Sequence, residues 1–406
     1  MSDSAQTSPA RSATWSRVVA AVLVVASVVT ALVLDVRHPD VLVAMIPSTN
    51  MFDLHVDFDT FWQSAVALTH GTDIYDTPAK LHNLNPPLLT VLMAPLAPLD
   101  PVTAYRLWVA LTTLMVVGSI LAVARELRLR AVFWVPALLA VLASSPLHGT
   151  LVLGQIYPVL LAVLVAGWIA ERRGHPVLAS ALFGITVAMK PSLAPLLLLA
   201  AVQRRWVPFR SGVIAAVVAT LVGVLVAGPA SALTWVKIAF SEPVPDTVDN
   251  ASLPGLAVRF GMPSVIGLVA GVLLLVGTLA WIGRHRDRID PAGAVVWAVV
   301  AAGLLLSPIA WHNYLMLLFP GALLLITLGR GAATAVMLAV AVIPVSWNAE
   351  GVGQAVGRSL YFVILLGYWG VLLLSASSAG PSSSPAVPVD VEAPVGSAAG
   401  RSTDVA

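Results

Sequence analysis

The run Asp53-Leu-His-Val-Asp57-Phe-Asp59-Thr-Phe-Trp62 sets three carboxylates close together with aromatic rings beside them. A carboxylate next to apolar surface has its pKa tuned towards general-base work, such as taking a proton from an acceptor hydroxyl. Rings nearby suit stacking against a sugar. The competing reading is an acidic loop in which Asp57 caps the helix that follows it. The spacing Asp57-Phe-Asp59 also matches a divalent-cation pair, on its own a weak signal.

Three further groups carry possible chemistry. Lys190, in Met189-Lys-Pro191, stands between two apolar half-spans, where an ammonium is costly and suits a bound phosphate. The alternative is a side chain snorkelling to the interface. Trp311-His312-Asn313-Tyr314 follows Ser307-Pro308 and combines imidazole, amide and indole, enough to hold a phosphate and a sugar. The alternative there is an interfacial aromatic belt. Arg259, in Leu253-Pro-Gly-Leu-Ala-Val-Arg259, is either a phosphate clamp or a loop arginine at the bilayer edge.

The elements that must position these groups are membrane helices. Hydrophobic residues make up 58% of the 406, mean hydropathy is +0.91, and only 10% are charged. Apolar runs near the length of a bilayer crossing recur from end to end, which makes this an all-α integral membrane protein. The chain has no cysteine, which excludes disulfides, thiolate metal sites and a cysteine nucleophile. Nothing in it reads as a nucleic-acid site.

Basic residues collect on cytoplasmic loops. Placing Arg11/Arg17, Arg125/Arg128/Arg130, Arg172/Arg173, Arg204/Arg205/Arg210, Arg284/Arg286/Arg288 and Arg330 inside gives a consistent path with both termini cytoplasmic. The expected spans are 18–36, 103–124, 131–146, 151–170, 177–189, 192–203, 211–229, 264–283, 291–306, 314–328, 331–346 and 358–375, about 12 transmembrane or half-membrane helices. The first is read as a retained span after a cytoplasmic segment 1–17. Both ends of 177–203 are basic, so two half-spans must meet at Lys190-Pro191. The outer loops are then 37–102, 230–262 and 307–313, and the tail 376–406, rich in Ser, Ala, Pro and Val, is expected to be disordered. Loop 37–102 should contain an amphipathic helix over Asp57–Thr69 and an apolar hairpin, Pro86-Pro87-Leu-Leu-Thr-Val-Leu-Met-Ala-Pro-Leu.

Read in order, these pieces resemble one family. Asp57-Phe-Asp-Thr-Phe-Trp62, Ala65, Gly71 and Asp73-Ile-Tyr-Asp76 are similar to the first-loop signature of the polyprenyl-phosphate-sugar-dependent glycosyltransferases of family 87, which have the C-type membrane fold. Asn85-Pro-Pro-Leu-Leu with Ala94-Pro-Leu-Ala, Trp108, Met189-Lys-Pro191 and Ser307-Pro-Ile-Ala-Trp311 follow in family order. The family contains mannosyltransferases and arabinofuranosyltransferases of actinobacterial envelopes. Two departures stand out. Asp53-Leu-His-Val resembles the form seen in mannosyltransferase members, so Asp53 and Asp59 are alternatives to Asp57. The histidine of the late motif falls one residue early.

The resemblance implies transfer of a mannosyl or arabinofuranosyl residue from a polyprenyl-phosphate sugar to an envelope glycolipid or polysaccharide. It would occur at the outer face of the plasma membrane, with inversion, and with neither cofactor nor metal. Asp57 is then the base. Lys190, Arg259 and His312 hold the donor phosphate, and Trp62, Tyr75, Trp311, Asn313 and Tyr314 contact sugar or lipid. The rival readings are a flippase or transporter of lipid-linked sugars, against which no inverted repeat is found, and a non-catalytic subunit of an envelope-polymer assembly.

Overall fold

The computed structural model describes residues 49–342 and 359–376 together with Val25 and Val29. Its elements are helices; between residues 49 and 376 the one β-type pairing among the described residues is a single bridge, Asn250 to Trp311. The expected span 18–36, the segment 1–17 and the tail 376–406 lie outside the described residues except for Val25, Val29 and Ala376.

The first outer loop is itself helical. Helix α1 (Val56–Thr69) carries the acidic run, and α2 (Pro87–Met93) with a 3-10 turn over Ala94–Leu96 takes the place of the expected apolar hairpin. The long helix α3 (Pro101–Glu126) follows, capped by Asp100, whose carboxylate accepts from the Thr103 amide at 3.0 Å.

The next two expected spans are divided differently. Helices α4 (Ala131–Leu142) and α5 (Ser145–Leu153) meet at a 47° bend, and α6 (Tyr157–Arg172) starts only after Gly154. Gly154 ends α5 at φ 72°, a left-handed conformation that glycine adopts without a Cβ penalty.

Helix α7 (Pro176–Met189) stops at Lys190, whose backbone is extended because Pro191 disfavours the helical conformation before it. A 3-10 turn and α8 (Pro195–Val202) complete this broken span. Helix α9 (Trp206–Ala227) crosses α7 so closely that a Cβ on Gly184 would lie 2.1 Å from the Gly212 carbonyl. Small residues at such crossings let backbones touch within a membrane.

The second outer loop holds α10 (Pro229–Ser241) and α11 (Leu253–Arg259). Then come α12 (Ser264–Arg284), α13 (Val295–Leu306), a 3-10 stretch over His312–Leu318, α14 (Phe319–Thr327), α15 (Gly331–Ala341) and α16 (Leu360–Ala376). Helix α13 is apolar all round and buried on nearly every residue, which makes it the centre of the bundle. Helix α9 instead exposes Val217, Leu221 and Leu225, the last at 79%, as a lipid-facing helix does.

Among the described residues three helices, α3, α9 and α12, are long and apolar enough to cross a bilayer, or four if α4 and α5 form one bent span. The expected count of about 12 transmembrane or half-membrane helices is not confirmed by these lengths. Most other apolar helices are 10–17 residues long. At 1.5 Å per residue the longest of these reaches about 25 Å, short of a hydrocarbon core of about 30 Å.

Candidate active site

Asp57 is the second residue of α1, and His55 is the cap position. Its carboxylate therefore does not cap the helix. Instead Oδ2 accepts a 2.6 Å hydrogen bond from Nε2 of Gln155, in the turn between α5 and α6. Three contacts fix that turn against the start of α1 and against α3. His55 Nδ1 meets the Val152 carbonyl at 2.6 Å, the Trp108 indole donates to the Gly154 carbonyl at 2.9 Å, and Gly154 lies under Phe58, where a Cβ would sit 2.4 Å away.

Lys190 is close enough to Asp57 for its charge to stabilise the ionised carboxylate. The Lys190 ammonium lies 5.3 Å from the Tyr314 ring centroid and 5.9 Å from that of Tyr157, and the two rings are 4.0 Å apart. Such a pair of faces attracts a cation and restricts where it points. The broken α7 thus delivers an ammonium to the start of α6 and to the late 3-10 stretch.

Burial raises the Asp57 pKa from 3.8 to about 6, against the lowering effects of the Gln155 hydrogen bond and of Lys190. Protein surrounds this carboxylate on most sides, yet it keeps partial solvent contact. A base with a pKa near 6 is mostly ionised at neutral pH and still holds a proton usefully.

The other two candidate carboxylates are turned elsewhere. Asp53 is exposed and pairs with Lys80 at 2.8 Å. Asp59 lies two residues along α1, roughly 200° around the helix from Asp57. It is buried, which raises its pKa, and Gln63 counters by hydrogen bonding. The Asp-x-Asp pair therefore diverges and does not form a joint chelate. Among the described residues no three His, Asp or Glu side chains gather as a metal site requires.

The remaining expected residues divide by what they touch. Arg259 is 7% exposed, and its Nη1 donates to the Thr247 and Asn250 carbonyls at 2.9 and 2.6 Å. Burial lowers its pKa, while Asp249 and Asp246 oppose that. His312 is 2% exposed, with Nδ1 3.7 Å from an Asp249 carboxylate oxygen and its ring against Gly149 of α5.

The second and third outer segments are joined through Asn250. It accepts from the Ala310 amide at 3.0 Å, donates to the Pro308 carbonyl at 3.2 Å and forms the bridge with Trp311. Trp62 donates to the Leu96 carbonyl at 3.2 Å, and the Tyr75 hydroxyl to that of Asn85 at 2.8 Å, so both brace the first outer loop. Asn313 is fully buried. Tyr314 alone of the expected aromatic contacts meets the Asp57 and Lys190 cluster directly.

Comparison with known proteins decides the family. The model of glycosyltransferase family 87 matches residues 83–308, more than half of the chain. The chain belongs to that family. The match takes in Gln155, Tyr157, Lys190 and Arg259, whereas Asp57 precedes it and His312 follows it.

An alpha-(1->3)-arabinofuranosyltransferase of Mycobacterium tuberculosis is 29% identical over 308 residues, covering 71% of this chain and 69% of that protein. A polyprenol-phosphate-mannose-dependent alpha-(1-2)-phosphatidylinositol mannoside mannosyltransferase of the same organism is 25% identical, over 72% of this chain and 76% of its own. Among solved structures, ArnT from Cupriavidus metallidurans bound to undecaprenyl phosphate aligns with a TM-score of 0.44 and 17% identity, over 86% of this chain and 77% of that one. The chain is thus a multi-pass membrane protein of a glycosyltransferase family, similar to both pentosyl- and hexosyltransferases.

Proposed function

We propose that this chain transfers an arabinofuranosyl or mannosyl residue from a polyprenyl-phosphate sugar to a glycolipid or polysaccharide acceptor of the cell envelope. The observation that carries the reading is the meeting of Asp57, with a pKa raised to about 6, and Lys190 over the Tyr157–Tyr314 pair in a family 87 chain.

In the proposed reaction the acceptor hydroxyl gives its proton to Asp57 as its oxygen attacks the anomeric carbon. The bond to the polyprenyl phosphate breaks, its electron pair stays with the phosphate, and Lys190 stabilises the charge developing there. Attack opposite the departing phosphate inverts the anomeric centre. Arg259 and His312 act on the donor side by holding the wall of the second and third outer segments. Trp62, Tyr75, Trp311 and Asn313 form the surrounding frame, and Tyr314 is the ring nearest the phosphate.

The site faces the extracytoplasmic side of the plasma membrane in the charge-sorted path, with the lipid tail between helices and both termini in the cytoplasm. The helices follow the C-type arrangement in this reading.

The test is donor turnover by the full chain in nanodiscs. Polyprenyl-phosphate arabinofuranose and polyprenyl-phosphate mannose are offered separately with envelope glycolipid as acceptor, and released polyprenyl phosphate is measured. Release with one of the donors is expected. Folded protein that releases neither contradicts this assignment of the donor and gives weight to the non-catalytic subunit.

A further inference from the structure

We infer that Gln155 is a positioning residue for the Asp57 carboxylate, fixing it through Oδ2 and leaving Oδ1 for the acceptor's proton. The inference rests on the reading of Asp57 as the base and adds the group that aims it. The geometry is specific. An ionised carboxylate only accepts, so the amide must present Nε2, and the 2.6 Å contact is a short, charge-assisted bond. Gln155 is 7% exposed, and its backbone is immobilised on both sides. The Trp108 indole holds the Gly154 carbonyl, His55 holds the Val152 carbonyl, and α6 begins with Tyr157 and Pro158 two residues on. A side chain aimed from a locked turn holds its partner's geometry more tightly than one on a free loop.

An amide also suits the task chemically. It has no proton to lose at any working pH, so it orients the carboxylate without competing as a base and without neutralising it as a cation would. The titratable groups facing Asp57 are Lys190 at the end of α7, Tyr157 at the start of α6 and, beyond Tyr157, Tyr314 in the late 3-10 stretch. His55, the cap residue before α1, is turned to Val152. All of them remain when Gln155 is changed, so a shift in the pH dependence reports on the amide.

The experiment is the pH profile of kcat/KM for donor turnover by the full chain in nanodiscs, comparing wild type with Gln155→Met. Methionine keeps the length of the side chain and removes its donor. The acid limb is expected to move up by about one pH unit, since a hydrogen bond to a charged group favours ionisation by roughly that amount. At pH values below the limb this reads as about a tenfold loss.

Gln155→Glu is the second variant. It keeps size and polarity, places a like charge beside Asp57 and moves the limb in the same direction. A uniform loss at every pH, as a purely structural role would give, overturns the inference, as does an unmoved limb in either folded variant. A wild type that turns over no lipid-phosphate sugar overturns instead the reading beneath it.

Discussion

Asp57→Asn should make the protein more stable at neutral pH while abolishing its proposed activity. The folded chain raises the Asp57 pKa from 3.8 to about 6, chiefly by burial. Between those values the folded carboxyl keeps a proton that the unfolded chain has released, so stability falls as pH rises through the window and levels off above it. Two units, at about 1.4 kcal/mol each, put the cost of the buried charge near 3 kcal/mol, and the partial exposure of Asp57 brings this to about 2 kcal/mol.

Asparagine has nearly the same shape and can still accept from Gln155 through its amide oxygen, but it carries no charge. The variant should exceed wild type by about 2 kcal/mol at pH 7.5 and match it near pH 4, a gap of about 2 °C in the unfolding midpoint for a chain of this length. Thermal unfolding of both proteins in nanodiscs across that pH range measures it, and the background from other carboxylates cancels in the difference. A difference that does not vary with pH, or a wild type more stable at pH 7.5, would refute the argument that Asp57 is a strained, buried base.

Other substitutions separate roles within the site. Lys190→Met should weaken donor affinity and slow turnover by about a hundredfold or more, as loss of a preorganised charge does; steady-state kinetics with varied donor shows whether both KM and kcat change. Arg259→Met removes the bonds to the Thr247 and Asn250 carbonyls. It should loosen residues 247–250, seen as faster amide exchange there, and cost more in stability than in donor affinity. Gly154→Ala places a Cβ 2.4 Å from Phe58 at φ 72° and should destabilise the protein by about 1–3 kcal/mol while displacing Gln155 from Asp57, read as lower turnover.

Two of the elements that carry the candidate site were legible in the sequence because their signals are local. Acidic residues ahead of an apolar-periodic run foretold a helix over 57–69, and the observed one is Val56–Thr69. Proline after Lys190 foretold the break that sets an ammonium between half-spans. What stayed hidden depends on pairing between distant elements. Nothing local distinguishes Asp57 from Asp53 and Asp59; the choice comes from Gln155, 98 positions away, and from Lys80 taking Asp53.

Gln155 fell inside an expected span, 151–170, although Gly154 before it and Pro158 after it mark a helix end and a helix start. Arg259 and His312 looked like cations turned to a ligand. The structure gives Arg259 backbone carbonyls and sets His312 beside a buried carboxylate, partners that spacing does not reveal. The second outer loop, read only as a loop over 230–262, holds α10 and α11, 13 and 7 residues long and each with a proline in its first turn.

The central claim is that Asp57 is the base for transfer from a lipid-phosphate sugar bound at Lys190. It is tested most directly by single-turnover transfer with saturating donor at pH 7.5, wild type against Asp57→Asn. The account predicts that the variant still binds donor, seen as a donor-induced rise in its unfolding midpoint, and transfers sugar at least about a hundredfold more slowly. Donor binding with an unchanged transfer rate would contradict it.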